Sequence, residues 1–509
     1  MAEEQVATLQ SRYIELEGDR GATSDRAELC AQMTLPYAYM EDDSSSQDDL
    51  QRNYTQGFGA SLVNGLVGKL ATSILPASQP FFRLTAKPEA LYALAGKEDG
   101  TLDEEAVFQI EKVLAEKEEG ILRYINDTNF RGALYPALRL SLVTGNCLIE
   151  KIEEASGYRV INLRNYVVKR DFAGRIIELI IQETLDAETL PDDAKAGIDE
   201  NDGQEDIKLY TSVSLIDGTY QLTQEINEEA TGETSSFKKL SDRFIDIRWT
   251  KIDGEDYGRS FVEDSLGTFI ALEKQSQVLA QSAVVQSKTV FTVNPNGFTR
   301  YKDFVEATNG KAIIGQEQDI GVVKVNKAND LQMSMQLVEQ YKAELAETFL
   351  KFVARDSERT TAFEVQKNAQ ELESAFGGVY THIAYDIQMP LIQEAIKNLK
   401  MKGAESKDVD VIIMSGVQAL GRNAELQKLN QTMSELQMLG GIVGTEQVAQ
   451  AMNTQSWVAQ IVANSGVANK NLIVTETKQA EQIGQAKKEQ ISGEALSEGI
   501  KTAGKNATE

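Results

Sequence analysis

Apolar residues recur at threes and fours along most of the chain and alternate with polar ones through its middle. This pattern predicts an α+β protein, mainly helical. Leu9, Tyr13 and Leu16 open a helical segment over about residues 1–40, with Pro36 as its stop. The acidic, serine-rich residues 41–49 predict an exposed loop. Residues 56–75 combine an apolar stripe with Gly59, Ala60, Gly65, Gly68 and Ala71, so they predict a helix that a neighbour can approach closely. Pro76 and Pro80 close it, and extended chain starts at residues 81–84. Residues 103–130 predict a charged helix with Val107, Ile110, Leu114, Ile121 and Ile125 on one face, and 133–144 another that ends at Gly145.

The period then changes. Strands are predicted at 146–152, 159–163, 166–169, 176–181, 207–215, 219–226 and 244–250, with a turn at 171–174 and a hairpin at Asp217-Gly218. Residues 183–206 are acidic, with Lys195 their one base, and read as a solvated loop. From residue 261 helical spacing returns, at 261–287 (Val262, Leu266, Phe269, Leu272, Leu279), 330–353 and 361–400, the last with Gly377, Gly378 and Pro390 as kink points. Residues 288–325 read as β around 289–293, 312–314 and 322–323, with Pro295-Asn296-Gly297 as a turn. The polar residues 355–360 form a break. A strand at 409–414 and helix over 417–474 precede a polar C-terminal end expected to be frayed or disordered.

Composition narrows the function classes. The chain has 509 residues, 41% hydrophobic and 25% charged, which fits several folded domains. Its net charge is −27, so the surface as a whole cannot wrap nucleic acid, which needs Lys and Arg to displace counterions, although one locally neutral channel is compatible with it. Cys30 and Cys147 are too few for a disulfide framework or a cysteine metal site, and His382 alone cannot build a histidine metal site. The start, MAEEQVATLQ, lacks the basic and apolar regions of a signal peptide. The most apolar stretch, residues 62–75, is interrupted by Asn64 and Lys69 and is too short to span a bilayer. A soluble intracellular or particle-borne protein with no membrane contact is expected.

Motifs for chemistry fail on inspection. Residues 65–70 lack the first glycine and the Ser/Thr of a phosphate-binding loop, with Val63 and Leu70 at those positions, and fit a helix face better. Residues 57–59 lack the third glycine of a dinucleotide fingerprint. His382 lies mid-helix and reads as a packed or interface residue. No catalytic, metal or cofactor site is predicted, and no enzyme. One charge pattern stands out: residues 288–359 hold ten bases and ten acids, a balanced segment in a chain of −27.

Several strings, in order, carry a family likeness. They are Arg26-Ala27-Glu28-Leu29-Cys30-Ala31-Gln32 with Thr34-Leu35-Pro36; residues 70–76 with Phe82-Arg83-Leu84-Thr85; Leu142-Val143-Thr144-Gly145-Asn146; Tyr166-Val167-Val168-Lys169-Arg170-Asp171; and Asp253-Gly254-Glu255-Asp256-Tyr257-Gly258-Arg259-Ser260. Val293-Asn294-Pro295, Glu358-Arg359-Thr360-Thr361-Ala362, Leu372-Glu373, Gly377-Gly378-Val379-Tyr380, Gln388-Met389-Pro390-Leu391 and Leu420-Gly421-Arg422 complete the set. Over about residues 20–425 the chain resembles the portal, or head-to-tail connector, proteins of short-tailed bacteriophages (podoviruses) of the Autographiviridae type.

The resemblance implies a ring of twelve subunits at one capsid vertex with double-stranded DNA passing through it. It implies a portal fold with a wing at 1–260, stem helices at 261–287 and 326–353 and a clip at 288–325. A tunnel loop at 354–360, a kinked wing helix and strand at 361–414 and a crown at 415–509 complete it. The implied partners are the terminase large subunit, the tail adaptor and nozzle proteins, and the major capsid, scaffold and internal core proteins. The implied location is the virion, with assembly in the host cytoplasm. With the charge pattern, it makes Lys324, Lys327, Lys342, Lys351, Arg355 and Arg359 candidates for transient phosphate contact in the channel. Intersubunit pairing of Arg355 or Arg359 with Asp356 or Glu358 is the alternative. Arg300, Lys302 and Lys311 become candidates for terminase or adaptor docking at the clip. A structural head or tail adaptor without a channel is the competing reading.

Overall fold

The computed structural model describes residues 8–39, 56–76, 81–97, 102–152, 157–186, 206–226, 229–287, 290–308, 311–323, 328–350, most of 371–399, 409–413, and the single positions 432 and 438. It is mixed α and β, as the pattern predicts. The first half runs α1 (Leu9–Met33), α2 (Phe58–Ile74), β1 (Phe82–Ala86), α3 (Pro88–Ala95), α4 (Glu104–Asp127) and α5 (Phe130–Thr144). Strands follow as β2 (Asn146–Ile152), β3 (Gly157–Ile161), β4 (Tyr166–Arg170), β5 (Ile176–Asp186), β6 (Asp206–Ile216), β7 (Thr219–Ile226), β8 (Glu229–Phe237) and β9 (Phe244–Arg248). The last part runs α6 (Phe261–Asp264), α7 (Leu266–Ser287), β10 (Val290–Val293), α8 (Tyr301–Val305), β11 (Ile320–Val323), α9 (Ala328–Thr348), α10 (Gly378–Asn398) and β12 (Val409–Ile413).

The chain divides into two compact units, residues 1–70 with 132–357 and residues 71–131 with 358–509. In the first, β4 to β8 form a five-stranded antiparallel meander and β3-β2-β9 a three-stranded sheet. The amphipathic side of α1 closes the meander. Tyr13 and Leu16 bury against Val167, Ile180 and Tyr210, and burial pushes the Tyr13 hydroxyl up to about 12. Arg20, also buried, donates to the carbonyls of Leu163 and Tyr166, so its charge is met by oxygens of the strand entry.

Three of the strings that carry the family likeness meet here. Gly145 turns the chain from α5 into β2 with φ +80°, and a Cβ there would lie 2.6–2.7 Å from the backbone of residues 258–260. Next to it, the Asn146 amide donates to Gly258 O (2.9 Å) and accepts from Gly258 N (2.7 Å), while Ser260 donates to Leu142 O. The same strap reaches β4. Tyr257 Oη accepts from Val168 N (3.0 Å), Asp256 accepts from Arg170 N, and Arg170 also pairs with Asp246 on β9. Residues 253–260 thus stitch the two sheets together.

In the second unit, β1 pairs antiparallel with β12. Glu118 on α4 accepts from Leu84 N on β1 (2.7 Å). Leu114, Ile121 and Ile125 are the buried part of the predicted apolar face of α4, and Tyr124 at its end donates to Glu394 on α10 (3.0 Å). Pro390 lies inside α10, whereas Gly377 (φ +52°) precedes it and ends a shorter helical stretch.

Several expectations need correction. Helix 261–287 is interrupted at Ser265, where α6 ends. Residues 312–314 form no strand, because β11 pairs only with β10, and residues 301–305 are helix. Helix α3 and strand β8 have no predicted counterpart. The first is short and starts on Pro88; the second has almost no apolar alternation and pairs with β7 as the last strand of the meander. His382 is exposed on α10 rather than packed within the chain. Residues 65–70 lie inside α2, as the helix-face reading requires. The acidic loop, shortened by β5 and β6 to residues 187–205, and the helices expected at 361–370 and 417–474 lie outside the described residues, bar positions 432 and 438.

Candidate functional site

The helix–β–helix segment singled out by its charge balance is an arm built from α7, a small tip and α9. Thr268 near the start of α7 donates to Glu344 near the end of α9 (3.1 Å), so the two helices run antiparallel. At 1.5 Å per residue each is about 30 Å long.

The arm has two unlike halves. Its base is bolted to the first unit by aromatic rings: Phe349 lies 4.9 Å from Phe261 and 5.6 Å from Phe269, and Phe261 lies 5.6 Å from Trp249. Leu272, Val338 and Leu345 are buried alongside. Lys69 of α2 donates to Leu350 O (2.6 Å), placing a cation at the end of α9 where the last carbonyls lack helical partners. Leu350 ends the helix with φ +53°. The outer half is bare. Val278, Val284 and Val285 on α7, and Met333 and Met335 on α9, are exposed. An amphipathic pair that buries its stripe at one end only leaves the rest for a partner to cover.

The tip holds β10, α8 and β11. Its buried centre is polar: among described side chains in 291–308 and 311–321, Thr299 and Asp319 are the buried ones, at 4% and 5% exposure. Asp319 Oδ2 accepts from Thr299 N (3.0 Å) and Thr299 Oγ1 (3.1 Å), and Thr299 Oγ1 accepts from Gln316 N (3.1 Å). The backbone hydrogen bond from Thr299 above all holds the Asp319 carboxyl below its usual range. A Cβ at Gly297 would run into that carboxylate, so the loop closes this tightly only because residue 297 has no side chain.

The predicted site residues fall as follows. Arg300 caps α8 by position, Lys302 faces Glu306 at 3.9 Å, and Lys311 is exposed on the same tip, so the structure brings these three together. Lys342 lies on α9 and pairs with Glu339 at 3.1 Å. Lys324, Lys327, Lys351, Arg355 and Arg359 lie outside the described residues, as does the 354–360 segment. Sequence reasoning missed the apolar surface of the tip and outer arm, and the Thr299–Asp319 pin. The one available signal was apolar residues (Phe298, Ile313, Ile314) set between turn residues with no matching strand pattern. Among the described residues no cluster could hold a metal ion, and no helix is long and apolar enough to cross a membrane.

Comparison with known proteins gives a consistent set. The family described as bacteriophage head to tail connecting protein matches residues 6–473. The portal protein of Escherichia phage T7 is 28% identical over 493 residues, covering 93% of this chain and 90% of that protein. The portal protein of Enterobacteria phage T3 is 28% identical over 486 residues, covering 92% and 88%. That of Enterobacteria phage SP6 is 30% identical over 420 residues, covering 80% and 78%.

Proposed function

The chain belongs to the bacteriophage head-to-tail connecting protein family, and from that premise we propose that copies of it close into a ring at the capsid vertex where head meets tail. Double-stranded DNA passes through the ring inward during packaging and outward at ejection. The observation that carries this reading is the half-bare arm. A helix pair anchored at its base and apolar but exposed beyond it is stable in company, and neighbouring copies around a ring supply that company. The α7–α9 pair then serves as the stem and residues 288–325 as the clip.

The charge pattern fits a conduit. A strongly basic lining would trap DNA by counterion release, and a uniformly acidic one would oppose its entry. Lys342, with Glu339 at 3.1 Å, offers passing phosphate a nearly neutral pair. Lys324, Lys327, Lys351, Arg355 and Arg359 share the role of transient contacts in this reading. Docking of the terminase large subunit, then of the tail adaptor, at the clip around Arg300, Lys302 and Lys311 belongs to the same proposal. So does assembly in the host cytoplasm with capsid, scaffold and core proteins. The proposal assigns the chain no chemistry of its own.

Electron micrographs of the purified full-length chain test it. Rings of about twelve copies with a central hole are expected. Monomers, or assemblies without a hole, would count against it, and sustained ATP hydrolysis by the rings would refute the non-enzymatic reading.

A further inference from the structure

The tip of the arm is unusual in having no apolar centre. Its buried residues are Thr299 and Asp319, while its large apolar side chains face outward: Phe298 is 78% exposed, Tyr301 69% and Ile314 90%. Phe291 and Phe304 touch each other edge-to-face at 5.1 Å, yet Phe291 is also exposed. A module of this size cannot hold its shape by burial of its own apolar groups, and a contiguous exposed apolar surface calls for cover.

We propose that Phe298, Tyr301 and Ile314 form a preformed knob that buries itself against a second copy of this chain, with Asp319 as its positioning residue. This rests on the ring reading and names the contact within it. The pin makes the knob rigid: Asp319 holds Thr299 through two hydrogen bonds, Thr299 holds Gln316, and Asn294 N donates to Asp319 O (2.8 Å). Phe298 is thereby fixed by its own neighbour Thr299, and the segment that carries Ile314 by its attachment at Gln316. Ordering that would otherwise be lost on association is already present in the single chain, which favours anchor residues of this kind.

Charge selects the occupant. Every copy of the chain carries −27, so copies can meet only where local charge cancels. On the tip, Arg300, Lys302 and Lys311 face Asp303, Glu306 and Glu317 as exposed groups, three against three, while Asp319 is turned inward. A rim of mixed sign around an apolar centre is complementary to itself. It offers nothing to a polyanion and no net attraction to a strongly charged partner.

Native mass spectrometry and sedimentation of the full-length chain test the proposal. The variants are Phe298→Ser with Ile314→Ser, Asp319→Ala and Asp319→Asn. The double serine variant should need at least about tenfold more protein for half-assembly, with the melting temperature of its dissociated chain unchanged, since both side chains are exposed. Asp319→Ala should weaken assembly similarly, and Asp319→Asn, which keeps an acceptor toward Thr299, should restore most of it. A purely structural role for Asp319 would lower melting without this ordering of the two variants. Unchanged assembly of the double variant overturns the proposal. So do rings that form normally but no longer hold a tail component, because the knob then serves a different partner. Failure of the unsubstituted chain to form rings would instead refute the ring reading itself.

Discussion

At the residue scale, the most informative side chains are those that satisfy buried backbone. Asn146 serves Gly258 with both ends of its amide in a buried site. Asn146→Ala leaves both groups orphaned and should cost about 2–4 kcal/mol in a denaturant titration followed by circular dichroism. An unaltered midpoint would show that water replaces the amide. Cys30 and Cys147 are both fully buried, and burial pushes the Cys30 thiol up to about 12 and the Cys147 thiol higher still. Neither should react with a thiol reagent at pH 8 in the folded chain, and both should react in denaturant. Fast labelling of native protein would contradict the packing around α1 and β2. The depressed Asp319 carboxyl contributes its share of stability above the ordinary aspartate range and loses it as the pH falls through its lowered value. The pin is therefore intact throughout the neutral range.

At the scale of elements, the arm shows how two helices of similar pattern come to have halves with different fates. Phe349 closes a ring cluster with Phe261 and Phe269 at the base. Phe349→Ala should cost about 3–5 kcal/mol by removing that closure, and the loss should appear as a lowered melting temperature of the single chain. The Lys69 bond to Leu350 O is a cap supplied from another helix. Lys69→Met should destabilise the end of α9 by about 1 kcal/mol, read as faster amide exchange over residues 345–350 while exchange in the β4–β8 meander stays the same. Equal exchange throughout would show that the aromatic cluster alone holds the helix end.

At the scale of the whole molecule, charge distribution governs behaviour toward DNA. A chain of −27 with a balanced arm should pass DNA without retaining it. Assembled rings should show no retention of linear duplex at about 150 mM salt and at most weak retention at low salt. Salt-resistant binding would mean that bases outside the described residues gather on one surface, and would turn the conduit reading into that of a clamp.

Much was legible in the residues alone. Helical and alternating periods located α1, α2, α4, α5 and most strands of the meander to within a few residues, because those elements bury one face against a single neighbour and the pattern records that face. Asp217-Gly218 specified its hairpin because few residues accept the positive φ both positions adopt there. The charge of the arm and the order of the family strings were likewise properties of the chain as written. What only the tertiary structure decided was which distant residues meet. Nothing local to Asn146 announces Gly258, and Asp319 in its acidic surroundings reads as one more surface charge until the fold turns it onto Thr299. Nor does periodicity tell a covered apolar stripe from an uncovered one. Val284 and Leu272 repeat alike along α7, yet one is exposed and the other buried, because cover depends on where the base of the arm is anchored, and long-range packing alone sets that.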